Sequence, residues 1–475
     1  MMQDSSPGDL PALTARARNA QQTWAGLGPD ERSRRLRTVR AELARRAGAL
    51  ADCAAAETGK NETDALFEVM AGCEMLGWVA SHARRHLESR RVPSWPLIAK
   101  RARVEHHPLG VVGVIAPWNY PIGIPLQSLP YALAAGNAVV FKPSELTPQT
   151  GALLAECFAP AGEDVVVLAQ GGGEVGRALV QSGIDKLVFT GSPATARKIL
   201  AAAAEVLLPV VLELGGKDAM VVCDDADVSA AAAASVGAAF ANAGQTCMAV
   251  ERALVHTDVY DEFVDAAVAT TETLVVGSGS NAHLGRVARP EQLDLVEQRL
   301  RQAEEAGAKV LTGGRRLALG DAWFAPTVVV DVPRDAELWQ EESFAPVLSI
   351  ARVADDDEAV RVANDSAFGL SSSIFTRDRD RADRLAARLE AGGVNVNDAM
   401  TGAALAALPF GGVKQSGFGR LQGPEGLHEL SRTTAIVSPV SMRLPSLVGL
   451  MFTGRRPPRR LVERAIRAIY GRKPK

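Results

Sequence analysis

Three observations predict an α/β protein with two doubly wound parallel-sheet domains. Strand-length runs of Val, Ile and Leu alternate with helix-length stretches from about residue 111 onward. The runs are apolar without a break, the pattern of strands buried on both faces by flanking helices. The alternation restarts after Gly215-Gly216.

The elements follow in order. Residues 10–58 read as helical, broken at Gly28-Pro29 and stopped at Gly59, with Arg32, Arg34, Arg35, Arg37 and Arg40 on one face and Leu, Val and Ala on the other. A second helix covers 62–87. RVEHH (103–107) is strand-like, and VVGVIAPWNYP (111–121) is a strand that ends at proline and feeds a loop. Then come AVVFKP (138–143) with a helix at 148–159, VVVLAQ (165–170) with one at 174–181, KLVFTGS (186–192) with one at 193–205, and VVLELGGK (210–217). The second series runs AMVVCDD (219–225), an Ala-rich helix at 227–242, ERALVH (251–256) and a helix from Asp258. LPFGGVKQSGFGRLQG (408–423) is too glycine-dense for a regular element and is expected to wrap back over the first domain. The domains are therefore expected at 1–89 with 108–215, and at 216–420.

Composition narrows the function. With 475 residues, 52 Lys plus Arg against 55 Asp plus Glu and a net charge of −3, the chain lacks the basic excess of a nucleic-acid binder. Five scattered cysteines (Cys53, Cys73, Cys157, Cys223, Cys247) without a C-x-x-C pair argue against disulfide scaffolds and zinc ribbons and fit a reducing cytosol. MMQDSSPGDL carries no basic, apolar and small-residue leader pattern, so a cytoplasmic location is expected. His82 and His86 have i, i+4 ligand spacing, but Arg84 and Arg85 stand between them with no third ligand; no metal is expected.

Chemistry-bearing residues gather at strand ends. Gly171 to Gly176 satisfies G-x-G-x-x-G between a strand and a helix, yet the next strand ends in Phe189-Thr190-Gly191-Ser192 without the acidic residue a dinucleotide fingerprint needs; it reads equally as a plain glycine-rich turn. Cys247 lies in a polar, glycine-containing turn where a thiol can be exposed and activated, although most lone cysteines are small buried hydrophobes. Glu213 ends an apolar strand, where a carboxylate is costly without a purpose. The loop after VVGVIAP brings Asn119 to the same sheet edge, and Lys142 and Glu145 follow AVVF there.

At these residues the chain resembles the NAD(P)-dependent aldehyde dehydrogenase family, in a short bacterial-type form. PWNYP (117–121), FKPSE (141–145), FTGS (189–192), LELGGK (212–217), GQTC (244–247), EESFAPV (341–347) and PFGGVKQSGFGR (409–420) occur in the family's order, and the likeness spans about 15–437. It implies a dinucleotide-binding domain before Gly216, a catalytic domain after it, and a small oligomerisation hairpin from 90–107 and 431–440. For RVEHH an ordinary edge hairpin is the alternative. The resemblance implies Cys247 as nucleophile, Asn119 with the Cys247 backbone N–H as oxyanion donors, and Glu213 as the base that activates the hydrolytic water. It assigns cofactor contacts to Trp118, Lys142, Glu145, Phe189, Gly191, Ser192, Leu214, Glu342 and Phe344. Glu145 favours NAD and is compatible with NADP in short-form members. Ala196 and Ala345 replace glycines usual in the family, each adding a methyl group.

By the same alignment Tyr120, Ile124, Gln127, Thr246 and Met248 line the aldehyde tunnel, with the 400–408 loop at its mouth. None is basic, which points to apolar aliphatic or aromatic aldehydes; the alternatives are a succinate semialdehyde type, a CoA-acylating relative, disfavoured by Glu213, or a non-catalytic cofactor-binding protein. A homodimer is expected. The 441–475 tail carries ten Lys or Arg from Arg443 onward against Glu463 alone, with Leu461, Ile466 and Ile469 on one helical face; it reads as contact with an anionic membrane surface or as a solvated tail on a neighbouring subunit.

Overall fold

In the computed structural model, which describes residues 4–471 apart from 96, 280, 445, 455 and 456, the N-terminal third is mainly helical. The 26-residue helix Glu62–Leu87 begins with Asn61 accepting from the Thr63 N–H (2.8 Å), carries Glu62 and Asp64 in its first turn and Arg84, Arg85 and His86 in its last. Those charges complement the helix dipole. Before it, the sequence predicts one helix from Gly28 to Thr58, whereas the structure has two, Gly28–Arg45 and Ala47–Thr58. Arg46 leaves helical geometry at the break, its guanidinium bridging Glu42 (2.6 Å) and Glu156 (2.7 Å).

The strands are, in chain order, β1 (Arg90–Val92), β2 (Lys100–Pro108), β3 (Val111–Ile115), β4 (Ala138–Lys142), β5 (Val166–Leu168), β6 (Lys186–Thr190), β7 (Val210–Glu213), β8 (Asp218–Val222), β9 (Val250–His256), β10 (Lys309–Thr312), β11 (Thr327–Val330), β12 (Val347–Val353), β13 (Ser371–Phe375), β14 (Gly393–Val396), β15 (Gly417–Phe418) and β16 (Ser431–Pro439). They form a six-stranded sheet, β15-β7-β6-β3-β4-β5, a seven-stranded sheet, β10-β11-β12-β9-β8-β13-β14, and a small sheet, β1-β2-β16. The two large sheets are parallel except at one edge each, where β15 runs antiparallel to β7 and β10 to β11.

Successive side chains of a strand point to opposite faces. On β3, Val112 and Val114 join a core with Val69, Leu76 and Leu126, while Val111 and Ile115 pack with Leu10, Leu179 and Ile199 on the other side. β8 does the same, sending Val221 and Met220 into separate cores. Both large sheets are thus covered on both faces, as their unbroken apolar runs require.

The chain passes from the first sheet to the second between Glu213 and Asp218. The glycine-rich end of 216–420 supplies β15 to the first sheet, beside β7, in the way its expected return over the first domain requires. Two compact units result, one formed by the chain through Leu87 with His106–Arg432, the other by Glu88–Glu105 with the chain from Thr433 onward. The first contains both large sheets.

Candidate active site

The carboxyl ends of β3, β4, β6 and β7 deliver Asn119, Lys142, Thr190 and Glu213 to one edge of the six-stranded sheet. Open α/β sheets gather ligand chemistry at such an edge. Asn119 is buried; its amide donates to the Gln245 carbonyl (2.9 Å), and Asn242 donates to the Asn119 carbonyl (2.9 Å). PWNYP is thereby tied to the turn that carries Cys247.

That turn follows the Ala-rich helix Val228–Phe240 and contains three consecutive left-handed residues, Asn242, Ala243 and Gly244. The strained backbone is held by Gln245, which donates to the Asn242 carbonyl (2.9 Å) and accepts from the Ala288 N–H (2.8 Å). Glycine is required twice here by close approach. A Cβ on Gly244 would lie 2.2 Å from the Ala345 backbone, and one on Gly216 would lie 2.2 Å from the Cys247 carbonyl. The GQTC, LELGGK and EESFAPV stretches therefore meet backbone to backbone.

Cys247 is half-buried, and its surroundings differ from the activating turn read from sequence. Burial raises the thiol well above its ordinary range, and the Glu342, Asp218 and Glu213 carboxyls push the same way. Each of these influences favours the neutral thiol over the thiolate. Glu213 is buried with neither carboxyl oxygen hydrogen-bonded, and burial raises it well above the carboxylate range, against a weaker opposing pull from Arg420. A buried carboxyl without a protein partner is costly to keep charged.

Cys247 and Glu213 line one cavity of 330 Å³, and Tyr120, Ile124, Gln127, Thr246 and Met248 are on its wall. Met400, Ala403 and Ala404 add the loop after β14. The Tyr120 and Thr246 hydroxyls are 2.7 Å apart. No Lys or Arg is among the described lining residues.

The sequence reading missed one whole wall, formed by Asp64, Phe67, Glu68, Met70, Ala71 and Met75 of the helix Glu62–Leu87. Phe67 and Met70 are more than half exposed, a sign of an apolar mouth that periodicity alone did not reveal. Glu68 forms a fully buried ion pair with Lys60 and accepts from the Ile122 (3.1 Å) and Gly123 (3.0 Å) N–H groups, fixing the loop after PWNYP. The Lys60 ammonium lies 4.2 Å from the Tyr120 ring centroid.

Of the residues expected at the cofactor, Trp118, Lys142, Glu145, Phe189, Gly191, Ser192 and Leu214 lie at or after the ends of β3, β4, β6 and β7, whereas Glu342 and Phe344 come from the loop before β12. Lys142 is buried, its ammonium bonded to the Pro143 carbonyl (3.1 Å) and 3.8 Å from the exposed Glu145 carboxylate, so its three donors exceed these two acceptors. Ser192 caps the helix Pro193–Val206 by accepting from the Thr195 N–H (3.3 Å), and the Gly191 backbone lies against the Phe189 ring. Leu214 lines the cavity and bonds the Ser416 carbonyl (3.0 Å). Glu342 accepts from the Gly216 N–H (3.0 Å) and is raised to about 8 by burial and Glu251. Phe344, at φ +49°, meets Trp118 edge-on at 5.7 Å. Its loop is anchored by a second buried pair that the sequence reading also missed. Glu251 pairs with Lys217 and accepts from the Ser343 (2.9 Å) and Phe344 (3.2 Å) N–H groups. These groups fit a nicotinamide dinucleotide.

Comparison with known proteins agrees with this geometry. The sequence model of the aldehyde dehydrogenase family matches residues 1–436. The chain is 37% identical over 432 residues to a 4,4'-diapolycopene aldehyde oxidase of a Methylomonas species, covering 90% of this chain and 81% of the relative. It is 36% identical over 422 residues to a mitochondrial succinate-semialdehyde dehydrogenase of Oryza sativa (87% and 79%). The solved structure of an NAD-dependent aldehyde dehydrogenase from Sinorhizobium meliloti superposes with a TM-score of 0.89 at 31% identity, covering 94% of this chain and 89% of that one.

Proposed function

Since the chain belongs to the aldehyde dehydrogenase family, enzymes that oxidise aldehydes to carboxylic acids with NAD(P), we propose that its substrates are apolar aliphatic or aromatic aldehydes and its preferred acceptor is NAD. The observation that carries this reading is the 330 Å³ cavity on whose wall Cys247 and Glu213 stand among methionines, Phe67, Ile124 and Phe410. A site of this kind takes its affinity from apolar area.

Cys247 attacks the aldehyde carbon once its thiol proton has passed to solvent water, and the carbonyl oxygen becomes an oxyanion. The Cys247 N–H and the second amide hydrogen of Asn119 hold that charge; the first is taken by Gln245. A bound nicotinamide dinucleotide would supply the hydride acceptor, leaving Cys247 as a thioester. Glu213 removes a proton from water, which displaces the sulfur and releases the acid. Lys142 and Glu145 would hold the adenosine ribose, Gly191 and Ser192 the pyrophosphate, and Glu342 with Phe344 the nicotinamide end. An exposed Glu145 carboxylate repels a 2′-phosphate, which supports NAD.

A semialdehyde substrate needs a cation for its far carboxylate. The nearby Lys60 is consumed by Glu68 and fully buried. Likeness to a succinate-semialdehyde dehydrogenase therefore does not carry that substrate to this chain. Five unpaired cysteines support a reducing compartment, the cytoplasm, and a homodimer remains our reading of the assembly. Initial rates of NADH and NADPH formation across aliphatic, aromatic and semialdehyde substrates, with Cys247→Ser alongside, test the proposal. Turnover of apolar aldehydes with NAD that collapses in the variant supports it; a preference for succinate semialdehyde, or an active Cys247→Ser, refutes it.

A further inference from the structure

The helix Arg459–Tyr470 buries none of its residues. Leu461, Val462, Ile466 and Ile469 recur at i, i+1, i+5 and i+8, which sets them on one side, and they are 58, 43, 53 and 43% exposed. Arg460, Arg464 and Arg467 fall on the opposite side, and Arg459, at the helix start, is bonded to Glu463 (2.7 Å). At about 18 Å the helix is too short to cross a bilayer, and among the described residues no helix is long and apolar enough to do so. The preceding helix, Leu447–Thr453, also exposes Val448 and Phe452.

From the unpartnered apolar face and the charge opposite it, we propose that this tail docks flat on an anionic lipid bilayer, its apolar side in the acyl boundary and its arginines among the headgroups. Charge complementarity selects this occupant. From Arg443 onward the sequence carries ten basic residues against Glu463, an excess suited to a negative surface and set against a chain whose net charge is −3. A second copy of the same helix would cover the apolar face but leave the arginines on the outer side without acidic partners. An apolar aldehyde also concentrates in a bilayer; that consequence rests on the substrate proposal, whereas the lipid contact does not.

The test is cosedimentation of the full chain with vesicles of equal parts phosphatidylglycerol and phosphatidylcholine, and with phosphatidylcholine alone. The wild type is expected to pellet only with the anionic vesicles, and less in ~1 M salt, where the Debye length is about 3 Å. The double variants Ile466→Asp with Ile469→Asp, and Arg460→Glu with Arg464→Glu, are each expected to lose roughly tenfold or more in partitioning. Unchanged oxidation of a short water-soluble aldehyde verifies that the variants fold. Wild type left in the supernatant with both vesicles overturns the proposal, as does equal binding to neutral vesicles. A change of oligomer size by light scattering in the Ile466 variant, without any lipid binding by the wild type, assigns the face to a second copy and also overturns it.

Discussion

Replacing Glu213 by Gln separates its catalytic role from its energetic cost. The carboxyl is 2% exposed, neither oxygen is hydrogen-bonded, and its folded pKa lies well above the unfolded value near 4.5. The folded chain therefore binds this proton more tightly than the unfolded chain. Its contribution to stability is complete below about pH 4.5 and is lost as pH rises toward the folded value, at about 1.4 kcal/mol per pH unit in between. Glutamine leaves its amide equally unpartnered, a cost that does not vary with pH, so the stability of Glu213→Gln should gain on wild type by that slope. Urea denaturation of both proteins between about pH 5 and about pH 7 reads it. Catalytically, loss of the base should cut steady-state turnover by about 10²–10⁴-fold while sparing a first burst of NADH equal to the active sites, because acylation precedes the step Glu213 serves. A pH-independent stability difference would refute the burial argument. A variant with full steady-state turnover would refute the base.

Three further outcomes are expected. Asn119→Ala should lower kcat about 10²–10³-fold through the lost oxyanion donor, but cost only about 1 kcal/mol in denaturation, because Asn242 remains 3.4 Å from the Gln245 carbonyl. In a homologous series of straight-chain aldehydes, kcat/KM should climb about fourfold per methylene until the cavity is full; a flat series would contradict an apolar tunnel. Glu145→Gln should raise the NADP to NAD ratio of kcat/KM about fivefold, checked by initial rates with both dinucleotides.

Much of the fold was legible because parallel strands buried on both faces leave unbroken apolar runs, as VVGVI and AVVFK do. The breaks were harder. Arg46 ends a helix through side-chain pairs with Glu42 and Glu156, the latter more than a hundred residues away, and no local signal announces it. The site was legible where residues cluster at strand ends, since topology alone brings Asn119, Lys142 and Glu213 together. It was illegible where the partner is remote. The wall from Asp64 to Met75 belongs to a helix whose exposed apolar side looks, in sequence, like any amphipathic surface. The state of Cys247 also escaped, because its thiol is pushed up by burial and by Glu342, Asp218 and Glu213, drawn from two stretches of chain far from it in sequence.

The strand β15 has a consequence for how the chain is made. Gly417 and Phe418 pair with Glu213 and Leu212, and Ser416 reaches the Gly215 carbonyl at 2.7 Å. Without them β7 is the free edge of its sheet, with unpaired amides open to any passing strand. About 200 residues separate the two partners, so on the ribosome that edge stays uncovered for roughly 10–40 s at ordinary elongation rates. The strand that bears Glu213 is thus the last of its sheet to be closed, and the interval before closure is when a nascent chain has most need of a chaperone.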